Sequence, residues 1–265
     1  MKLLLKLSYD GSAYCGFQFQ PSCPTVQGTL TERLSEMFGF PCLVTGCSRT
    51  DAGVHALGYV ASVEPADSSR RVGEWWKIPC SRIHRAAARY LPDDISIMGA
   101  AAVEDDFHPR YRTVSKEYVY VIADSVARDP FLRGRAFVMG RQIDDGGIEL
   151  MNKAAQNLVG QHDFSSFMAA GSSVSDTVRT LFSLRAKRVS NGIVTVSARG
   201  DGFLYNMVRI LAGTLVDTAF GRFDPSDLKR ILDSRDRREA GTTAPACGLY
   251  LKEIFYPEEI HFAAE

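Results

Sequence analysis

The chain has 265 residues, 45% hydrophobic and 23% charged, enough apolar material for one large domain or two smaller ones and too much for a disordered chain. Its 31 basic and 31 acidic residues cancel, so bulk charge points to no nucleic-acid partner and any basic footprint has to be local. Six scattered cysteines, a charged N-terminal run too short for a signal peptide, and no long apolar stretch lead us to expect reduced thiols in a cytoplasmic protein that does not enter a membrane.

Residues 3–9 read as a buried strand, closed by Asp10-Gly11-Ser12 and followed by a loop at 16–21. Val26, Leu30, Leu34 and Met37 recur at helical spacing, which predicts a helix with Thr25 as N-cap and Gly39 after its last turn. A short strand at 42–45 and a longer one at 54–63 follow. Ser81 is expected to cap a second helix whose Ile83, Ala87 and Tyr90 share a face and which Pro92 stops, with a further strand at 95–103. The first half, 1–105, thus reads β-α-β-β-α-β, the split βαβ order.

The second half, 106–265, repeats that order. Residues 116–123 alternate as a strand, and Ile148, Met151, Ala155 and Leu158 mark a helix ended by Gly160. Strands at 178–189 and 193–199 flank Ser190-Asn191-Gly192, a signal for a tight hairpin. Leu204, Val208, Leu211 and Leu215 make a long helix, and 249–256 closes as a strand. Two similar halves are expected to meet at a cleft, where sites often lie.

No glycine-rich phosphate loop follows a strand, and Gly200-Asp201-Gly202 lacks the third glycine of a dinucleotide fingerprint, so no nucleotide cofactor is expected. Candidate metal ligands do not cluster, and the five histidines are scattered. Residues 45–56 concentrate the chemistry instead. There Arg49, Asp51 and His55 stand among small residues, and Ala52-Gly53 lets the chain turn sharply so that the Asp51 carboxylate projects as a nucleophile or base. The plainer alternative is that Asp51 caps its own turn. A turn needs no cation, however, whereas a phosphate-bearing substrate does, and Arg49 supplies one.

Three further constellations stand out. Tyr118 and Tyr120 share one face of a strand; Tyr120 suits the core, while Tyr118 offers its ring to an unstacked base and its phenol to a proton. Arg209 opens a long apolar helix and, if buried, needs an anion such as Asp51. Leu249 heads the last strand, where it can wall a planar ring. Arg70-Arg71, Arg82 with Arg85 and Arg89, Arg110 with Arg112 and Lys116, and residues 185–188 are basic clusters that fit one face or simply solvated surface.

Taken together, these stretches resemble the A-type tRNA pseudouridine synthase family. The likeness runs in order over nearly the whole chain: Tyr9-Asp10-Gly11 with Gly16-Phe17-Gln18, Thr25-Val26-Gln27-Gly28, Arg49-Thr50-Asp51-Ala52-Gly53-Val54-His55-Ala56, Asp106-Phe107-His108, Lys116-Glu117-Tyr118, His162-Asp163-Phe164-Ser165-Ser166-Phe167, Gly202-Phe203-Leu204 with Met207-Val208-Arg209, and Gly248-Leu249-Tyr250-Leu251. The resemblance implies an α+β fold of two ferredoxin-like βαββαβ halves sharing a central, mostly antiparallel sheet around a catalytic cleft. It implies isomerisation of uridine to pseudouridine in the tRNA anticodon stem-loop, at tRNA positions 38 to 40, by aspartate catalysis on a flipped nucleotide. No cofactor, no metal and no DNA are implied, and the protein is expected to be a homodimer whose two subunits both touch one tRNA. Residue by residue, Asp51 is the nucleophile, Tyr118 stacks on the target base, Arg209 pairs with Asp51, Arg49 helps fill the space of the flipped nucleotide, and His55 and Leu249 complete the substrate-binding set. Attack at carbon 6 of the ring, attack at the anomeric carbon, and elimination at the ribose all remain open routes. Two positions depart from the family's pattern: Ser48 stands where Gly is usual, and Phe17 where Trp is common.

Two rivals define what would contradict this reading. A non-catalytic RNA-binding protein with RRM-like halves has the same element order, but 54–63 lacks the expected second and third aromatics of the third strand. An aspartate-dependent N-glycosylase would release free uracil instead of an isomer.

Overall fold

In the computed structural model, which describes residues 1–171 and 174–264, the elements follow one another as β1 (Lys2–Tyr9), α1 (Val26–Phe38), β2 (Cys42–Gly46), β3 (His55–Pro65), α2 (Cys80–Ala87), β4 (Ile95–Val103), β5 (Ser115–Ala123), β6 (Phe137–Val138), α3 (Asp145–Gln156), β7 (Gly160–Asp163), β8 (Val178–Ser190), β9 (Ile193–Gly200), α4 (Met207–Ala219), α5 (Asp227–Ser234) and β10 (Leu249–Phe255). The chain folds as two units, Met1–Val114 with Leu251–Glu265, and Ser115–Tyr250. The first therefore runs past residue 105 and takes back the end of the chain. Hydrogen bonds explain why: Val114 N–H donates to Phe255 O at 2.8 Å, and the Tyr256 hydroxyl to Pro109 O at 2.9 Å.

In the first unit β1 lies between β3 and β4, antiparallel to both, with Leu3 opposite Val63 and Ala102. Leu3, Leu4, Leu5 and Leu7 are fully buried, as an unbroken apolar run in a central strand requires. β2 pairs with only the second half of β3, from Gly46 opposite Ala61 to Cys42 opposite Pro65. Beside the first half of β3 runs β10, so close that a Cβ on Gly58 would stand 2.4 Å from Lys252 O. The expected α1 forms as read: Thr25 Oγ1 accepts the Gly28 N–H, Gly39 closes the helix at φ +76°, and Val26, Leu30 and Leu34 are buried. α2 departs from expectation. It begins after Pro79 with Ser81 inside it and ends at Ala87, so Ile83 and Ala87 are buried while Tyr90 lies outside the helix and exposed. Pro92 disfavours helical geometry at Leu91, which shortens the helix by its last turn.

In the second unit the strands run β5-β9-β8-β7, all antiparallel, with β6 parallel to β5. Tyr118, Tyr120 and Ile122 form the buried face of β5. The hairpin between β8 and β9 is present, but of Asn191 and Gly192 only Gly192 takes a positive φ (+78°), and the register slips between Arg188 and Ser190. The turn itself is a tight two-residue one, Ser190 pairing with Ile193 across it, and the bulge lies in β8 just before it. Leu158 and Leu204 are buried yet lie just outside α3 and α4, and Gly160 opens β7 at φ +113° instead of ending a helix. Both units are α+β with mostly antiparallel strands. Among the described residues no helix is long and apolar enough to cross a membrane.

Candidate active site

Between β2 and β3 the chain makes a loop whose backbone is tied at nearly every residue. Cys47 N–H donates to Val60 O at 2.9 Å, and the Tyr59 hydroxyl engages both backbone groups of Ser48. Thr50 O accepts from Phe17 N–H at 3.1 Å while Thr50 Oγ1 lies 2.9 Å from the Tyr9 hydroxyl. Asp51 O accepts from Val54 N–H at 3.1 Å, and Gly53, at φ +76°, donates to Tyr14 O at 3.3 Å. The sharp turn after Asp51 is therefore real, and its own backbone closes it. Asp51 is half-buried and Arg49 exposed, both carried on a frame that cannot drift.

The neighbours leave no room for other residues at two glycines. A Cβ on Gly16, at φ +94°, would sit 2.4 Å from Thr50 O, and one on Gly46 would overlap the Tyr59 hydroxyl at 2.1 Å and the Phe17 ring at 2.4 Å. Phe17 stacks on Tyr59 with ring centres 4.3 Å apart, so its ring is part of the packing beneath the loop. Ser48 is buried without a positive φ, and the loop accepts it with both backbone groups bonded. His55 is 2% exposed, with Nδ1 3.1 Å from both Gly11 N and Asp10 Oδ1. Those contacts join the exit of the loop to the end of β1.

In the second unit Tyr118, 6% exposed, meets Phe203 edge-on at 5.1 Å. Arg209 sits in the first turn of α4, where a cation opposes the helix dipole and reinforces a positive field. Its Nε donates to Ala244 O at 2.8 Å and its Nη1 to Asn206 Oδ1 at 2.7 Å, two neutral acceptors that aim the guanidinium. Asn206 stands at the N-cap in left-handed geometry, φ 58°, with its side chain turned to Arg209 instead of capping the helix. The loop before Leu249 is pinned from β5: the Tyr120 hydroxyl donates to Pro245 O at 2.6 Å, and a Cβ on Gly248 would lie 2.7 Å from the Tyr120 ring. Burial pushes the Tyr120 phenol well above its ordinary range, so it stays a neutral donor. Leu249 is buried at the head of β10.

Arg49, Asp51 and His55 thus share one loop of the first unit; Tyr118, Arg209 and Leu249 share one framework of the second. The groups that hold them, Tyr9, Thr50, Tyr59, Phe203 and Asn206, carry supporting roles that the sequence does not assign to them. Three of the basic clusters are partly consumed by ion pairs: Arg71 with Glu64 at 3.4 Å, Arg112 with Asp106 at 2.6 Å, and Arg188 with the fully buried Asp124 at 2.9 Å. Residues 162–167 prove architectural. Asp163 accepts from Thr177 Oγ1 and Ser165 N–H, Ser166 Oγ donates to Ile231 O, and Phe164 and Phe167 are fully buried. Among the described residues no three His, Cys, Asp or Glu side chains gather as metal ligands would.

Comparison with known proteins matches residues 154–257 to the family described as tRNA pseudouridine synthase. Over the whole chain, similar proteins include "tRNA pseudouridine synthase A" of Bacillus pumilus, 41% identical over 97% of this chain and 99% of that one. The protein of the same name from Ruminiclostridium cellulolyticum is 39% identical over 96% and 99%, and that of Bacillus subtilis 38% identical over 97% and 99%.

Proposed function

Because the chain belongs to the tRNA pseudouridine synthase A family, and is thereby an isomerase, we propose that it converts uridine to pseudouridine in the anticodon stem-loop of tRNA with Asp51 as the nucleophile. The observation that carries this reading is the Asp51 loop itself: a half-buried carboxylate on a backbone tied at Ser48, Thr50, Asp51 and Gly53. A nucleophile gains from such fixing because its reach toward the substrate is set in advance. The reaction breaks the bond from uracil nitrogen 1 to the ribose and makes one from carbon 5. Carbon 5 loses its proton to solvent and nitrogen 1 gains one.

In this reading Arg209 is the counter-ion that keeps Asp51 ionised, and Arg49 occupies the space vacated by the flipped nucleotide. Tyr118 lies along the target base and relays its proton, and Leu249 walls the loosened uracil. His55, buried beneath the loop, belongs to the substrate-binding set through position: it holds the end of the loop against Gly11. The chemistry runs on these side chains alone, in a cytoplasmic homodimer whose two subunits share one tRNA. Nucleoside mapping of tRNA incubated with the wild type and with Asp51→Asn tests the proposal. Pseudouridine in the anticodon stem-loop with the wild type alone supports it, and pseudouridine formed by both overturns the role of Asp51.

A further inference from the structure

Residues 125–136, which lead from β5 to β6, carry a surface feature that the proposed chemistry does not use. Phe131 is 83% exposed, and Arg128, Arg133 and Arg135 are exposed around it. A lone exposed phenylalanine on a loose loop would mean little. This one stands on a built turn. Asp129 Oδ1 accepts the Phe131 N–H at 2.9 Å and caps a short helical turn over Pro130–Leu132, Arg135 N–H donates to Leu132 O at 3.0 Å, and Gly134 takes φ +72°. The exit is fastened to the segment that carries Leu249, because the Tyr250 hydroxyl donates to Arg135 O at 2.6 Å and Cys247 Sγ to Ala136 O at 3.4 Å.

Charge identifies the partner. Within residues 128–135 three arginines face one acidic residue, Asp129, whose carboxylate is occupied by the cap. In a chain of zero formal net charge this is a local positive patch with an aromatic ring at its centre. Guanidinium groups match phosphate oxygens, and an exposed ring stacks on any unpaired base without reading its identity. We propose that this turn is a docking surface for the tRNA substrate outside the reacting site, with Phe131 stacked on an unpaired nucleotide and Arg128 and Arg133 on flanking phosphates. The proposal rests on tRNA being the substrate.

The test compares wild type, Phe131→Ala and the double variant Arg128→Gln/Arg133→Gln on an unmodified tRNA transcript, measuring KM, kcat, and Kd as a function of salt. Phe131→Ala is expected to raise Kd and KM about tenfold with kcat unchanged, the loss of one stacked base. The arginine variant should lower the slope of log Kd against log salt by roughly one to two, as for two lost phosphate contacts. Unchanged melting temperatures are expected, since Asp129 and Gly134 remain. Wild-type Kd and salt slope in both variants would overturn the docking surface. So would variants that sediment as monomers where the wild type is a dimer, because the turn would then join two copies of the chain. If the wild type itself forms no pseudouridine in tRNA, the reading of the substrate fails first, and the two failures are told apart.

Discussion

The Tyr59 hydroxyl engages both the carbonyl and the N–H of Ser48, so one phenol on β3 fixes the residue that precedes Arg49 and Asp51 by only a few bonds. Tyr59→Phe keeps the ring stacked on Phe17 but leaves two buried backbone groups without that partner. We expect a loss of about 1 to 3 kcal/mol in stability. We also expect kcat to fall while KM for tRNA stays near the wild-type value, since the substrate is held mainly through its phosphates. Thermal melting and steady-state kinetics on one preparation check both. An unchanged kcat would mean that the loop keeps its shape without the phenol.

Asn206 and Arg209 make a second such pair. If Arg209 is the counter-ion of Asp51, Arg209→Ala should lower kcat about a hundredfold or more. Asn206→Ala removes one of the two bonds that aim the guanidinium, the 2.7 Å one, and sets a less tolerant residue at φ 58°, and a drop of roughly tenfold is expected. Restoring the amide with Asn206→Gln should recover little, because Asn tolerates the left-handed backbone here better than Gln does. A larger loss in Asn206→Ala than in Arg209→Ala would overturn this order of roles.

Asp163 provides the pH-dependent test of the fold. The Thr177 hydroxyl first, then the Ser165 N–H and hydroxyl and the Arg235 guanidinium, stabilise its charged form and hold its carboxyl below the usual range. A depressed carboxyl contributes stability that is complete above its unfolded value and is lost as the pH falls through the folded one. The gap in melting temperature between wild type and Asp163→Asn should therefore be full at neutral pH and shrink below about pH 4. A gap that stays constant over that window would show that ionisation of Asp163 plays no part.

Strands and helices with strong periodicity were legible from sequence: Thr25 and Gly39 bracket α1 as their chemistry requires, and 95–103 is a strand to the residue. Short elements were not. Phe137–Val138 and Gly160–Asp163 are too brief for any alternation to register, and they exist because neighbouring strands offer them hydrogen bonds. α5 was missed although Leu228, Ile231 and Leu232 repeat at helical spacing, because an acidic and basic surface surrounds them. Within the candidate site, the residues that carry chemistry were visible as motifs, while their supports were not. Nothing in a lone Tyr59 or Asn206 announces that its side chain will reach a backbone group or a guanidinium. Only a left-handed Asn, a backbone property, marks the latter.

The central claim is that Asp51 performs an isomerisation. Its most direct test is tritium release from tRNA labelled at carbon 5 of uracil, run with wild type and Asp51→Ala beside a filter-binding measurement of tRNA affinity. The account predicts release and pseudouridine formation by the wild type, no release by Asp51→Ala, and nearly equal affinity for both, because affinity comes mostly from phosphate contacts. Release by a folded Asp51→Ala variant at the wild-type rate would contradict it.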